Sequence, residues 1–228
     1  MTTTSKFHAG RLEIFDTVTF EHVLPVAPIV YYQDFLGEGY AAIPAAGSAA
    51  DGADFVKKIV LTAGTPTVSG VANAIGGQVV CALAATSEKE DAVLYWGDNL
   101  ALDCTKGLIF ETRVLLSVTP SAAGAQAVWG VAGPWIDGPQ NNACYLEFSA
   151  QASGAILATG FDGVTTTSLA TTVTVGTTDW HIYRIDATNL TDVAFYVDGA
   201  RVNADNSINF AATGTLAVDY VRAWMNRQ

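Results

Sequence analysis

The side chains best able to do chemistry are few in this chain. Three cysteines, Cys81, Cys104 and Cys144, and three histidines, His8, His22 and His181, are scattered along 228 residues. No Cys-x-x-Cys occurs, and no histidine has a His or Cys neighbour at ligand spacing. Zinc ligands come in close pairs, so neither a zinc site nor a disulfide framework is expected. Three buried thiols in a reducing compartment are the expectation. Five tryptophans, Trp96, Trp129, Trp135, Trp180 and Trp224, each carry a flat apolar face that could stack on a sugar ring. In a β-rich chain such rings more often fill the core or its rim. Trp135, between Pro134 and Ile136 in a Gly/Pro-flanked loop, is the best placed for a ligand. Glu111 and Arg113 share one strand face and could orient a ligand, but they read first as a solvated or cross-strand ion pair.

The elements that must position these residues are strands. Val, Thr, Ile, Tyr and Phe fall in short runs between Gly, Asn, Asp, Pro and Ser, the pattern of a sandwich or barrel. Gly107 to Val118 alternates, with Leu108, Phe110, Thr112 and Val114 on one face. Ala143 to Ala150, Trp180 to Asp186, Val193 to Asp198 and Leu216 to Trp224 are further strands. Asp198-Gly199 supplies the positive-φ positions of a tight hairpin turn, with Val193, Phe195 and Val197 on one side of the first arm. The Thr-rich stretch Gly163 to Thr178 reads as strand edges with polar outer faces. The best helix candidate, Ala41 to Val60, is broken by Pro44, Gly47 and Gly52, so a turn or two is the most it should hold. Tyr40 to Asp54 reads as a long surface loop, and the charged cluster Ser87 to Asn99 as a solvated loop before a strand. Residues 1–30 read equally as an arm or edge strands and as a first strand of the main sheet, with the main domain over 31–228.

Composition bounds the function. Half of the residues are apolar and 14% are charged, too apolar for a disordered chain. A 23.9 kDa chain can bury roughly 70% of its unfolded surface, enough for one large domain or two small ones. No apolar run has the length of a membrane helix. Met1 to Arg11 lacks the basic-then-apolar order of a secretory signal. Twenty-two acids against eleven bases give a net charge of −11. With no Lys/Arg patch to neutralise phosphates, a nucleic-acid partner is not expected.

Five segments carry a resemblance. KGLIFETRVLLS (Lys106 to Ser117), AVWGV (Ala127 to Val131), DWHIYRID (Asp179 to Asp186), VAFYVDGARV (Val193 to Val202) and VDYVRAW (Val218 to Trp224) occur in that order. In order and spacing they resemble the concanavalin A-like jelly rolls, closest to the laminarinase and lichenase glycoside hydrolases and to laminin-G-like domains. The resemblance spans about half of the chain. It implies an all-β fold, a jelly-roll β-sandwich of two antiparallel sheets, here with an N-terminal arm.

It also implies where catalysis would sit. In those hydrolases the strand after the Trp strand carries Glu-x-Asp-x-Glu, or a bulged form one residue longer. A retaining mechanism needs the two glutamates about 5–5.5 Å apart across the scissile bond. The equivalent strand here is Asn141 to Ala150, and Glu147 takes the place of the last Glu. The nucleophile position falls on Asn142 in the bulged form or Ala143 in the other, and the Asp position on Cys144 or Tyr145. No acid lies between Asp137 and Glu147. An amide cannot form the glycosyl intermediate, so the resemblance implies a non-catalytic relative with no catalytic residues. Glu111 or Asp137 approaching Glu147 in space would reverse that. Trp135, Glu147 and Trp129 are the candidate carbohydrate contacts. Asp219 matches an aspartate that ligates a structural calcium in many members of that group. Calcium needs six to eight oxygens and the sequence does not reveal the others. An edge aspartate is therefore the expectation, with structural calcium the alternative and no other cofactor implied.

The layout of YYQDFLG (Tyr31 to Gly37), GGQVVCALAAT (Gly76 to Thr86) and LYWGDN (Leu94 to Asn99) resembles jelly-roll proteins of tailed-phage structural modules. That implies a capsid decoration, or cement, protein assembled in the host cytoplasm and seated on the virion surface. Its partners would be the major capsid protein and neighbouring copies of itself, in a homo-oligomer. The alternative is a lectin-like module that binds polysaccharide for host adhesion. An active glycoside hydrolase is the least expected outcome.

Overall fold

The computed structural model describes residues 3–8, 11–16, 33–35, 43–45, 55–74, 76–84, 89–96, 102–121, 125–133, 144–151, 154–204, 206–210, 217–218, 220–222 and 225–226. The chain divides into two compact units, Met1–Gln33 and Asp34–Gln228. In the first unit β1 (Thr3–His8) and β2 (Arg11–Asp16) form an antiparallel hairpin, with Thr3 opposite Asp16 and His8 opposite Arg11.

The second unit is all-β, and its strand pairs are antiparallel. One sheet has five strands in the order β12 (Thr166–Thr174), β11 (Ala155–Phe161), β10 (Tyr145–Ala150), β9 (Ala127–Ala132) and β17 (Tyr220–Arg222). Another has four, β15 (Ala200–Arg201), β14 (Ala194–Val197), β13 (His181–Ala187) and β8 (Leu108–Val114). Three smaller groups complete the described strands. They are β3 (Val56–Leu61) with β6 (Glu90–Tyr95), β4 (Thr67–Gly70) with β5 (Gln78–Ala82) and β18 (Met225–Asn226), and β7 (Leu102–Asp103) with β16 (Ala217–Val218). β17 also lies beside β6, and β18 beside β8.

Period-two patterning explains which faces meet. In β8, Phe110, Thr112 and Val114 are buried while Ile109 and Glu111 are exposed, as the alternation predicts. In β13, Tyr183, Ile185 and Ala187 are buried. In the next arm Val193, Phe195 and Val197 are buried, and the turn after them has φ of 50° at Asp198 and 82° at Gly199. Both signs are those a two-residue hairpin turn requires to follow the strand twist. The inward rings join the two larger sheets. Trp129 of β9 meets Tyr183 edge-on at 4.7 Å between centroids. Phe148 of β10 meets Tyr183 and Phe195, each at 5.1 Å. Burying each ring contributes about 1.5–3 kcal/mol, and edge-on contacts suit the ring quadrupoles.

Three expectations are corrected. The segment Tyr40 to Asp54 is not wholly a surface loop: Ile43 is buried in the core and Ala45 bridges Lys57. Within Ser87 to Asn99, β6 already begins at Glu90. Leu216 to Trp224 is not one strand, because Ala217–Val218 pairs with β7 and Tyr220–Arg222 with β9. The Thr-rich stretch does form a strand with polar outer positions, β12, and no helix occurs in the described part of Ala41 to Val60.

Gly130 of β9 sets how closely β10 can approach. A Cβ there would overlap the Leu146 carbonyl and stand 2.7 Å from the Glu147 Cα. Gly130→Ala should therefore cost about 1–3 kcal/mol of stability, read as a lowered urea midpoint. An unchanged midpoint would contradict this packing.

Candidate functional site

Glu147 lies at the middle of β10, and the register fixes its surroundings. Leu146, Phe148 and Ala150 turn into the core between the two larger sheets. Tyr145, Glu147 and Ser149 therefore turn to the opposite face of the five-stranded sheet. Gly130 stands beside Glu147 on β9 and Thr159 beside it on β11. Tyr145 joins a second apolar cluster with Val93, Tyr95 and Ala132, against which Val56 and Phe161 pack. This face is thus apolar at one end and polar at the other. At the polar end the Thr159 and Ser168 hydroxyls are 3.0 Å apart, and Gln151 Nε2 donates to Ser149 Oγ at 3.3 Å and to Gln126 Oε1 at 3.4 Å. Glu147 is only 4% exposed and Ser149 2%.

The charge of Glu147 is felt by its neighbour. Burial first, and then Glu147, hold the Tyr145 phenol above its ordinary range, against a hydrogen bond with the Thr166 side chain. The positions nearest Glu147 on its face are Tyr145, Ser149, Gly130 and Thr159; the diagonal ones are Val128, Ala132, Leu157 and Phe161. Directly opposite cross-strand positions lie about 5 Å apart, and those two along the strand or diagonal to it about 7–8 Å. None of these eight sheet positions is an acid. Glu111 does not approach from elsewhere. It is exposed on the outer face of the four-stranded sheet, opposite Arg184 in register. Asp137, Asn142 and Ala143 lie outside the described residues.

The other candidates separate. Trp129 is corrected: with 0% exposure it is a core ring against Tyr183 and Phe148, with no face left for a sugar. Trp96 packs against Phe55 at 5.8 Å. Trp180 lies under the Arg113 guanidinium at 4.9 Å, so Arg113 stacks on a ring as well as sharing a strand with Glu111. Trp135, Trp224 and Asp219 lie outside the described residues. Among the described residues no group of three His, Cys, Asp or Glu side chains could hold a metal, and no helix is long and apolar enough to cross a membrane. The three cysteines are free thiols. Burial pushes Cys81 up to about 12 and Cys144 up to about 11. Burial, then Cys144 and Asp103, also raise Cys104. Such thiols are poor nucleophiles at neutral pH.

Two arrangements escaped the sequence. The hydroxyl and amide strip at Ser149, Thr159, Ser168 and Gln151 was half visible in the alternation of Tyr145, Glu147 and Ser149 against Leu146, Phe148 and Ala150. Its cross-strand members follow only from the register. The second arrangement is His181 with Asp198, whose Nδ1 and Oδ2 are 2.6 Å apart, while Asp198 also accepts from the Ile182 N–H. The hairpin turn brings them together across β13 and β14.

No family model matches the chain, and no curated protein matches it. Among solved structures the chain is similar to a carbohydrate esterase of the Shiga toxin-encoding bacteriophage phi24B. The TM-score is 0.42 at 16% identity, over 72% of this chain and 80% of that one. Likeness at that level assigns neither fold nor activity to this chain.

Two titrations check this geometry. Glu147→Gln removes the charge that disfavours the Tyr145 phenolate, so the alkaline absorbance titration of the tyrosines should gain a component at lower pH. Superimposable curves would contradict the placement of Glu147. For Asp198, partial burial opposes the charge, but hydrogen bonds from His181 and the Ile182 N–H, with the His181 charge, outweigh it and hold its carboxyl below the usual range. Its stabilising effect is complete above the unfolded value of about 3.9 and is lost as pH falls through the depressed folded value. Between about pH 5 and pH 2 the parent should lose more stability than Asp198→Asn in urea melts. Parallel losses would contradict the pairing.

Proposed function

We propose that the chain is a non-enzymatic, concanavalin A-like jelly-roll module of a bacteriophage virion. In this reading it decorates the capsid, binding the major capsid protein and neighbouring copies of itself. The observation that carries the non-enzymatic part is the ring of eight positions around Glu147, which holds hydroxyls, small and apolar residues and no acid. Two-carboxylate chemistry needs a partner acid within about 5–9.5 Å. The jelly-roll assignment draws on the five resembling segments and on the two sheets joined by Trp129, Phe148, Tyr183 and Phe195. The virion assignment draws on the layout shared with tailed-phage structural modules. A charge of −11 favours a protein surface over nucleic acid as partner.

A second reading has one observation in its favour. At the accessible end of that face, the exposed Ser168 and the half-buried Gln126 and Gln151 offer hydroxyl and amide groups of the kind that hold sugar hydroxyls. As a glycan-binding module the chain would bind bacterial polysaccharide through this face.

Mass spectrometry of purified virions from the same source should find the chain at a fixed ratio to the major capsid protein. In the same preparation, laminarin and lichenan should release no reducing sugar. Absence from virions would overturn the decoration reading, and sugar release abolished by Glu147→Gln would overturn the non-enzymatic one.

A further inference from the structure

The longest of the described strands is also an open edge. β12 runs nine residues and, among the described residues, is paired only with β11. At the opposite end of that sheet β17 has β6 beside it, and in the four-stranded sheet β8 has β18. β15, the remaining edge of the four-stranded sheet, has two residues. An open edge presents unpaired backbone N–H and C=O groups and is a template for another strand. Folds usually guard such edges with Lys, Pro or inward charge. Here the sixteen residues from Gly163 to Thr178 contain no charged residue and no proline, in a chain with 33 charged ones.

We infer that β12 pairs with β12 of a second copy, antiparallel across a two-fold axis, joining two five-stranded sheets into one of ten. The register follows from parity and from a bulge. β12 is in regular register with β11 from Thr166 to Ala170 and shifts beyond it, where Val173 N–H is taken by Thr171 Oγ1. The regular five residues pair with themselves when Ser168 lies on the axis. Thr166 then faces Ala170, Thr167 faces Leu169, and Ser168 faces its own copy. Exposed positions meet exposed positions and half-buried ones meet half-buried ones. No like charges come into opposition, although each copy carries −11. The inference rests on the proposed function only in taking a neighbouring copy as partner.

Sedimentation equilibrium of the full chain tests it, with Ser168→Lys and Ser168→Glu and thermal melts confirming that the variants fold. Ser168 is exposed, so either substitution leaves the fold while placing like charges directly opposite each other across the axis. The parent should sediment at about twice 23.9 kDa and each variant as a monomer. An equimolar mixture of the two variants should recover the dimer. A monomeric parent would overturn the inference. So would folded variants that remain dimeric, as they would if a neighbour's N-terminal hairpin or another face held the copies together. A mixture that stays monomeric also counts against it. None of these results bears on whether virions contain the chain, so the two claims fail separately.

Discussion

The seat of Phe148 between Tyr183 and Phe195 is the contact on which the rest depends. A strand has a side-chain period of two, so fixing one residue inward fixes every other residue on it. With Phe148 in the core, Glu147 and Ser149 must turn to the opposite face. A slip of one residue would bury a carboxylate among aromatic rings, at a cost far above that of any single packing defect. Gly130 is the complementary requirement, since β9 can lie this close to Glu147 only without a Cβ. Core packing and the chemistry available to Glu147 are therefore one constraint.

That constraint fixes what surrounds Glu147 on the sheet. Its neighbours come from β9 and β11 in set register, and they are Gly130, Thr159 and residues diagonal to them. These positions carry hydroxyls and small or apolar side chains. Charge elsewhere is distributed in a related way. On the outer face of the four-stranded sheet, Arg184 bonds Asp186 and lies over Tyr196, and Arg113 lies over Trp180. The edge at β12 carries no charge at all.

Much of this was legible in the residues themselves. The inward set of β8, the Asp198-Gly199 turn and the polar outer positions of β12 follow from alternation and turn chemistry, which are local. Trp129 was not legible, because β9 is apolar at every position from Ala127 to Ala132 and its pattern does not say which face is inside. The same ambiguity hid Ile43, a lone apolar residue among small ones that only the tertiary fold places in the core. Leu216 to Trp224 reads as one strand by composition, yet it serves more than one sheet, a matter of topology that no local period records. The lack of a second acid beside Glu147 was readable along β10, and its lack on β9 and β11 required the register.

The central proposal is that Glu147 has no catalytic partner acid among the positions that flank it on its sheet. The most direct measurement is the distance, in a crystal structure of the full chain, from the Glu147 carboxyl carbon to the nearest other carboxyl carbon. The account predicts a separation beyond about 9.5 Å, outside the range of either glycosidase geometry. A second carboxylate at about 5–5.5 Å across an open groove would contradict it.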